Sequence, residues 1–264
     1  MIWIGTSGYS FDDWGGTFYP RGIKPGERLN YYATRFRAVE VNSTYYRLPP
    51  PVVLAQMEKK TPPGFRFVVK MHQDVTHMRS ADDAHFRSFL DVIRPLEDAG
   101  KFHGALAQFP YSFRCTREAV GHLDKIRERM GDRPVFVEFR HDSWARDGTF
   151  DYLKKSGLGF CVVDEPRLAG LFPPLVRETN GVGYVRFHGR NEQNWWGGGG
   201  DRYDYDYPDR ELLEWVDSIA GLGSRTTDTY LFFNNCHAGR AARNARRMAE
   251  LLGIEGPSGG LDGL

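Results

Sequence analysis

Apolar residues recur along this chain in eight short runs, each ending on a polar or ionisable side chain and followed by a segment of helical length. The runs are Ile2 to Thr6, Ala38 to Asn42, Phe65 to Lys70, Gly104 to Gln108, Val135 to Arg140, Phe160 to Asp164, Tyr184 to His188 and Tyr230 to Asn234. Eight such units in 264 residues predict an α/β fold, a single (β/α)8 TIM barrel spanning 1–264, with long loops after strands 1 and 7. Helices are expected over Leu29 to Phe36, Val52 to Lys60, Ala81 to Glu97, Thr116 to Met130, Thr149 to Ser156, Asp209 to Ile219 and Ala238 to Leu252, several closing on a glycine. Pro166, Gly170, Pro173 and Pro174 follow the sixth run, so the helix there should be short or broken.

In such a barrel the C-terminal strand ends form the functional face. Side chains alternate along a strand, so helix-facing Val39 and Val41 put Glu40 and Asn42 inside. The same step turns Glu138 and Arg140, and Arg186 and His188, toward the axis. Lys70, Gln108, Asp164 and Asn234 end their strands beside them. Three carboxylates thus meet three cations. Such a balance also serves a purely structural network, because charges withdrawn from water need partners. Ten polar residues at one end of eight strands nevertheless point to a pocket, since apolar side chains fill barrel interiors at lower cost.

Two insertions fall at this mouth, residues 8–26 and 189–208. The second carries Arg190, Trp195, Trp196, the glycines 197–200, and then Tyr203, Tyr205 and Tyr207 interleaved with aspartates. It reads either as a substrate-facing lid or as a merely flexible loop.

Composition narrows the setting. Hydrophobic content of 41% allows a sizeable core, while a mean hydropathy of -0.52 and the lack of any run of membrane-spanning length argue against a membrane partner. The N-terminal residues enter a strand without the pattern of an export signal, so a cytoplasmic location is expected. A net charge of +1 offers no global attraction to nucleic acid. The three cysteines have no metal-knuckle spacing, and Cys161 reads as a small core residue.

Taken together, Gly5 to Tyr9 with Trp14, Val39 to Tyr46, Phe67 to Lys70 with Thr76 and His77, Gln108 to Pro110, Val137 to His141 with Trp144, Asp164 to Pro166, Arg186 to Gly189, and Asn234 with Asn235 make a specific set. On these motifs the chain resembles the YecE-like proteins, a prokaryotic family catalogued as a domain of unknown function. The resemblance implies a TIM barrel with the motif residues at its mouth, and it supplies no assigned reaction.

Three chemistries compete for the pocket. In hydrolysis of a phosphate ester, as of a sugar phosphate or a nucleic acid, Arg140, Arg186, Arg190 and Lys70 would hold phosphate oxygens. Glu138 or Asp164 would activate water as catalytic base, and His188 would donate a proton or join a divalent metal. Trp195 and Tyr205 would bind substrate from the lid, although Asp201, Asp204, Asp206 and Asp209 would repel a phosphate backbone. Carbohydrate chemistry without a metal would use Glu40 and Glu138 as a carboxylate pair. Non-catalytic binding of an anionic or nucleotide ligand is the third. Asn42, Gln108 and Asn234 orient the ligand in each.

A divalent cofactor is the weaker option. His72, His141, His188 and His237 follow strands, but no paired metal motif appears, and the cations compete for the carboxylates. Lys70 as a Schiff-base nucleophile would require burial to lower its pKa against the neighbouring carboxylates. On the last helix, Arg240, Arg243 and Arg247 form a basic face expected to be solvated.

Overall fold

The computed structural model describes residues 1–197 and 199–256. Gly198 of the expected lid, and residues 257–264 of the expected domain, lie outside the described residues. The strands are β1 (Ile2–Thr6), β2 (Ala38–Val41), β3 (Arg66–Lys70), β4 (Phe102–Gln108), β5 (Val135–Glu138), β6 (Gly159–Phe160), β7 (Val162–Asp164), β8 (Val182–Phe187) and β9 (Asp228–Phe233). Every strand pair is parallel, in two sheets ordered β1-β9-β8-β7 and β2-β3-β4-β5-β6. All eight expected runs are therefore strands, the sixth divided at Cys161 into β6 and β7.

Two seams join the sheets. At one, the chain runs straight from β6 into β7, and the Cys161 amide donates to Val137 O at 2.9 Å. At the other, Ser7 N donates to Phe233 O and Gly8 N to Glu40 O, at 2.9 and 2.8 Å. Gly5 makes the second seam passable: a Cβ there would fall 2.1 Å from the Ala38 carbonyl oxygen.

Helices cover the outer faces at Arg28–Ala33, Pro51–Lys59, Asp83–Asp98, Arg117–Met130, Asp147–Lys155, Asp209–Gly223 and Arg240–Leu251. Residues 165–181, where the prolines crowd, contain no helix. Side-chain caps start two of them, Asp82 Oδ1 accepting from His85 N and Thr116 Oγ1 from Ala119 N. Among the described residues no helix is long and apolar enough to cross a membrane.

The side chains between the two sheets are layered. Their N-terminal layer is aromatic: Phe136 lies 4.5 Å from Tyr184 between ring centroids, and Tyr230 6.3 Å from Phe136. Gly104 and Gly159 leave room for Phe136, since a Cβ on either would come within 2.5 Å of its ring. Arg66 lies beneath, bonded to Asp228 and Tyr230 at 2.8 and 2.7 Å. This plug occupies the lower end, and two cavities lie toward the C-terminal strand ends.

Candidate functional site

Above the aromatic layer sits a buried charge network contributed by five strands and the residues that follow them. Arg186 on β8 is its centre, donating to Glu138 Oε2 at 2.6 Å, Glu40 Oε1 at 2.7 Å and Ser7 Oγ at 3.3 Å. Tyr184 OH donates to the other Glu40 oxygen at 2.6 Å. Arg140 Nε donates to Glu138 Oε1 at 2.6 Å, and its Nη1 to Glu165 Oε2 at 2.8 Å. Arg186, Glu40 and Glu138 are at most 1% exposed. The alternation argument therefore placed them correctly.

Their partners determine what these groups can do. Glu138 is held well below the usual carboxylate range: burial raises its pKa, but Arg140, Arg186 and His188 together outweigh that. Both its oxygens carry arginine bonds, and Cys161 Sγ lies 3.7 Å from Oε2. A carboxylate so held is a poor base.

His188 is fully buried, and desolvation together with the Arg140 charge pushes its pKa down to about 3. The imidazole is neutral near pH 7, with Asn234 Nδ2 3.1 Å from Nδ1 and Glu138 Oε1 3.2 Å from Nε2. It cannot donate a proton as an imidazolium. Asp164 lies outside the central network, gripped on both oxygens by Arg190 at 3.0 to 3.1 Å. Arg190 also pairs with Glu214 at 2.9 Å, so its charge is compensated rather than offered to a ligand.

Two groups with pKa values near neutrality remain. Burial, then repulsion by Arg186, lowers the Lys70 ammonium to about 7 against the opposing pull of Glu138 and Glu40. This is the condition set out above for an unusual lysine, and here desolvation outweighs the carboxylates. Lys70 Nζ donates to Gln108 Oε1 at 2.7 Å and stands 4.2 Å from the Tyr45 ring centroid. Among the described residues it has no carboxylate partner within ion-pair distance.

Burial raises the second, Glu165, to about 8, with Arg140 opposing and Glu138 assisting. Its Oε1 is buried without a hydrogen-bond partner. The folded pKa exceeds the unfolded value, so the folded state binds the extra proton and Glu165's contribution to stability is lost as pH rises toward about 8. Glu165→Gln mimics the protonated acid without titrating, so it is expected to be more stable than wild type at pH 7 and to flatten the stability profile between about pH 5 and 8. Urea denaturation across that range checks it; an unchanged slope would contradict a protonated Glu165.

Two cavities open above the network. One, of about 250 Å³, is bounded by Lys70, Gln108 and Arg140 together with Tyr45, Tyr46, His77, Tyr111, Trp195, Trp196, Arg202 and Tyr203. The other, of about 670 Å³, is lined by Ser7 to Phe11, Asn42, Asn234, Cys236 and His237, and shares Tyr46 and Tyr203 with the first. Asn42 Oδ1 is buried there without a partner. Sequence reasoning gave no role to Tyr111, and Glu165 entered it only as part of a motif. Both face elements distant in sequence, which no local pattern displays.

The second insertion is folded onto the mouth. Trp195 is 2% exposed, with the Arg140 guanidinium 5.8 Å from its ring centroid, while Trp196 is exposed and edges onto Tyr111. Tyr205 turns away and bonds Glu211 at 2.8 and 2.9 Å, so it does not line the cavities. Gly189 permits this return with φ +90, and a Cβ there would come 2.6 Å from Tyr205 Cβ.

The basic face of the last helix is solvated as expected, and its arginines are paired at the surface. Arg240 pairs with Asp204, Arg243 with Asp206 at 2.6 Å, and Arg247 with Asp209 at 2.6 Å. The same pairing neutralises lid aspartates that were expected to repel phosphate.

Among the described residues, the carboxylate oxygens of Glu138, Glu40 and Asp164 all accept hydrogen bonds from arginines or, at Glu40 Oε2, from Tyr184 OH. Among the described residues, the one grouping of three potential ligands is His72, Asp74 and His85, beyond the end of β3.

Comparison with known proteins gives the relationships of this site. The family model described as protein of unknown function DUF72 matches residues 3–260. The UPF0759 protein YunF of Bacillus subtilis is 33% identical over 273 residues, covering 97% of this chain and 96% of its own. The UPF0759 protein YecE of Escherichia coli is 29% identical over 162 residues, covering 60% and 55%. A DUF72 family protein from Thermotoga maritima has a similar structure, with TM-score 0.89 and 43% identity over 96% of this chain and 99% of that one. Another, from Enterococcus faecalis, superposes with TM-score 0.87 at 27% identity, covering 98% and 99%. The charge network, its two cavities and the strands that carry them thus belong to a member of the DUF72 family of proteins of unknown function.

Proposed function

We propose that the two sheets close as one TIM-barrel domain, and that its mouth hydrolyses a small phosphate ester. The observation that carries this reading is Lys70, a cation compensated only by an amide and an aromatic face, at the wall of a cavity whose sides are aromatic. Glu40 and Glu138 balance Arg140 and Arg186, while burial favours the protonated form of Glu165. The charge left over is that of Lys70, which suits an anion. Tyr45, Tyr46, Tyr111 and Trp196 suit the face of a sugar or base beyond the phosphate.

In this reading the Lys70 ammonium holds a phosphate oxygen and gives its proton to the leaving oxygen, with a pKa near the working pH. Water forms the new P–O bond as the ester P–O bond breaks. A loose phosphoryl transition state asks little of a base, so a saturated Glu138 is no obstacle. Arg202, beside the same cavity, adds positive potential. Glu40 and Glu138 are clamped to one guanidinium rather than facing each other across open space, which does not favour the carboxylate-pair sugar chemistry.

Binding of an anion without turnover is a second reading, favoured by the saturation of both Glu138 oxygens. Chromogenic phosphate monoesters and diesters, assayed with calorimetric titration of inorganic phosphate, separate the two. Turnover that disappears in Lys70→Met supports hydrolysis; phosphate binding without turnover supports the second reading; neither turnover nor binding overturns both.

A further inference from the structure

We propose that His72, Asp74 and His85 form a binding site for a single zinc-like divalent cation, outside the mouth network. His72 follows β3, Asp74 lies in the short helix Gln73–Thr76, and His85 is in the first turn of Asp83–Asp98. Asp74 Oδ2 lies 3.5 Å from His72 Nδ1 and 3.8 Å from His85 Nδ1. All three residues offer ligand atoms within 4.8 Å of one another. Ligands about 2.0–2.2 Å from a tetrahedral zinc ion stand about 3.3–3.5 Å apart, so two of the three separations need to close by only a few tenths of an ångström.

The donor set fits the same class of ion. Two imidazoles and one carboxylate suit zinc and its late first-row neighbours, while magnesium and calcium prefer oxygen alone. Side-chain exposures of 12% for His72, 36% for Asp74 and 23% for His85 describe a site open on one side, with room for water as a further ligand. The segment is already held in place without an ion: Asp74 O accepts from Ser80 N and Ala81 N at 2.9 and 3.2 Å, and Asp82 caps His85 N. The ring planes of His72 and His85 lie 46° apart with centroids at 4.8 Å, near each other without stacking.

One local bond must yield. His72 Nδ1, the nitrogen that faces Asp74, now accepts from the Asp74 amide at 3.2 Å, so ligation through it would release that helix-cap bond. On the second imidazole, His85 Nε2 is buried with no hydrogen-bond partner. If His85 binds through Nδ1, the open Nε2 remains its second-shell position. A bound ion would tie the start of the 73–85 segment to the helix that follows. His77, in that segment, lines the smaller mouth cavity against Tyr45.

The test uses the full chain, stripped with a chelator and titrated with cobalt(II) and zinc(II), read by cobalt visible absorption, elemental analysis after desalting, and thermal unfolding. One equivalent of cobalt with nitrogen and oxygen ligand-field bands, displaced by zinc, and a melting temperature that rises with metal concentration are expected. Loss of an outer-shell partner alone costs about 10–100-fold in metal affinity, so His85→Ala and Asp74→Asn should each weaken binding by about 100-fold or more. His103→Ala, at the far end of the strands, should leave it intact. Asp74→Asn preserves shape, so it separates loss of a ligand from loss of the fold, which circular dichroism monitors. No stoichiometric binding, or binding unchanged in both variants, overturns the proposal. Binding lost instead in His188→Ala would move the ion to the mouth and equally overturn it.

Discussion

Replacement of Lys70 by methionine is expected to lower kcat/KM for phosphate-ester hydrolysis by about 10²–10⁴-fold, the usual contribution of a positioned acid. The pH dependence identifies the group. Its pKa is lowered to about 7, so the ammonium that binds and protonates is present below that pH and lost as pH rises through it. Activity and phosphate affinity should both fall on the alkaline side, with the limb displaced upward by bound anion. Lys70→Arg keeps its charge at any accessible pH, so it should retain phosphate binding, lose proton transfer and show no alkaline limb. A wild-type profile flat from pH 6 to about 9 would sink the assignment.

Stability supplies an independent readout of Lys70. Its folded pKa lies below the ordinary lysine value, so between about 7 and 10.5 the unfolded chain binds the extra proton. Stability must therefore rise with pH across that window. Lys70→Met should lack the rise and be the more stable protein below it. A loss of turnover accompanied by a gain in stability is the pattern of a functional group kept in an unfavourable environment.

Glu138→Gln carries the largest expected cost to the fold. The substitution leaves Arg186 with Glu40 and Arg140 with Glu165 as their remaining buried carboxylate partners. Breaking a buried pair by removing one partner costs about 3–5 kcal/mol, a large part of the ~5–15 kcal/mol that holds a domain together. Glu165 should soften the loss: Glu138 raises its pKa and Arg140 lowers it, so removing Glu138 favours its ionisation. The double variant Glu138→Gln, Glu165→Gln should then be less stable than the sum of the singles, a coupling that a double-mutant cycle in urea would read. Strict additivity would mean that Glu165 does not respond to its neighbour.

Much of this architecture is legible along the chain. Strand and helix periodicities differ, so the eight apolar runs and the helices between them stand out, as does the break after Asp164. Alternation within Val137-Glu138-Phe139-Arg140 and Val185-Arg186-Phe187-His188 likewise says which side chains turn inward, because that depends only on the pleat and on which neighbours are apolar. Local sequence even marks Lys70 and Gln108 as strand-end neighbours, and the structure joins them in one hydrogen bond.

What each inward group does was decided by tertiary structure alone. Glu138, Asp164 and Arg190 have the chemistry of a base and an anion clamp; saturation by partners up to 48 residues away leaves the first a poor base, and the other two bind each other. Lys70 and Glu165 are ordinary by type, and burial, assisted by Arg186 at the first and Glu138 at the second, brings their pKa values to about 7 and 8. The arginines of the last helix form the solvated face that their spacing indicates, and only the structure pairs them with Asp204, Asp206 and Asp209. Periodicity is a property of neighbours in sequence, whereas pKa and pairing depend on distance and dielectric, which are set by neighbours in space.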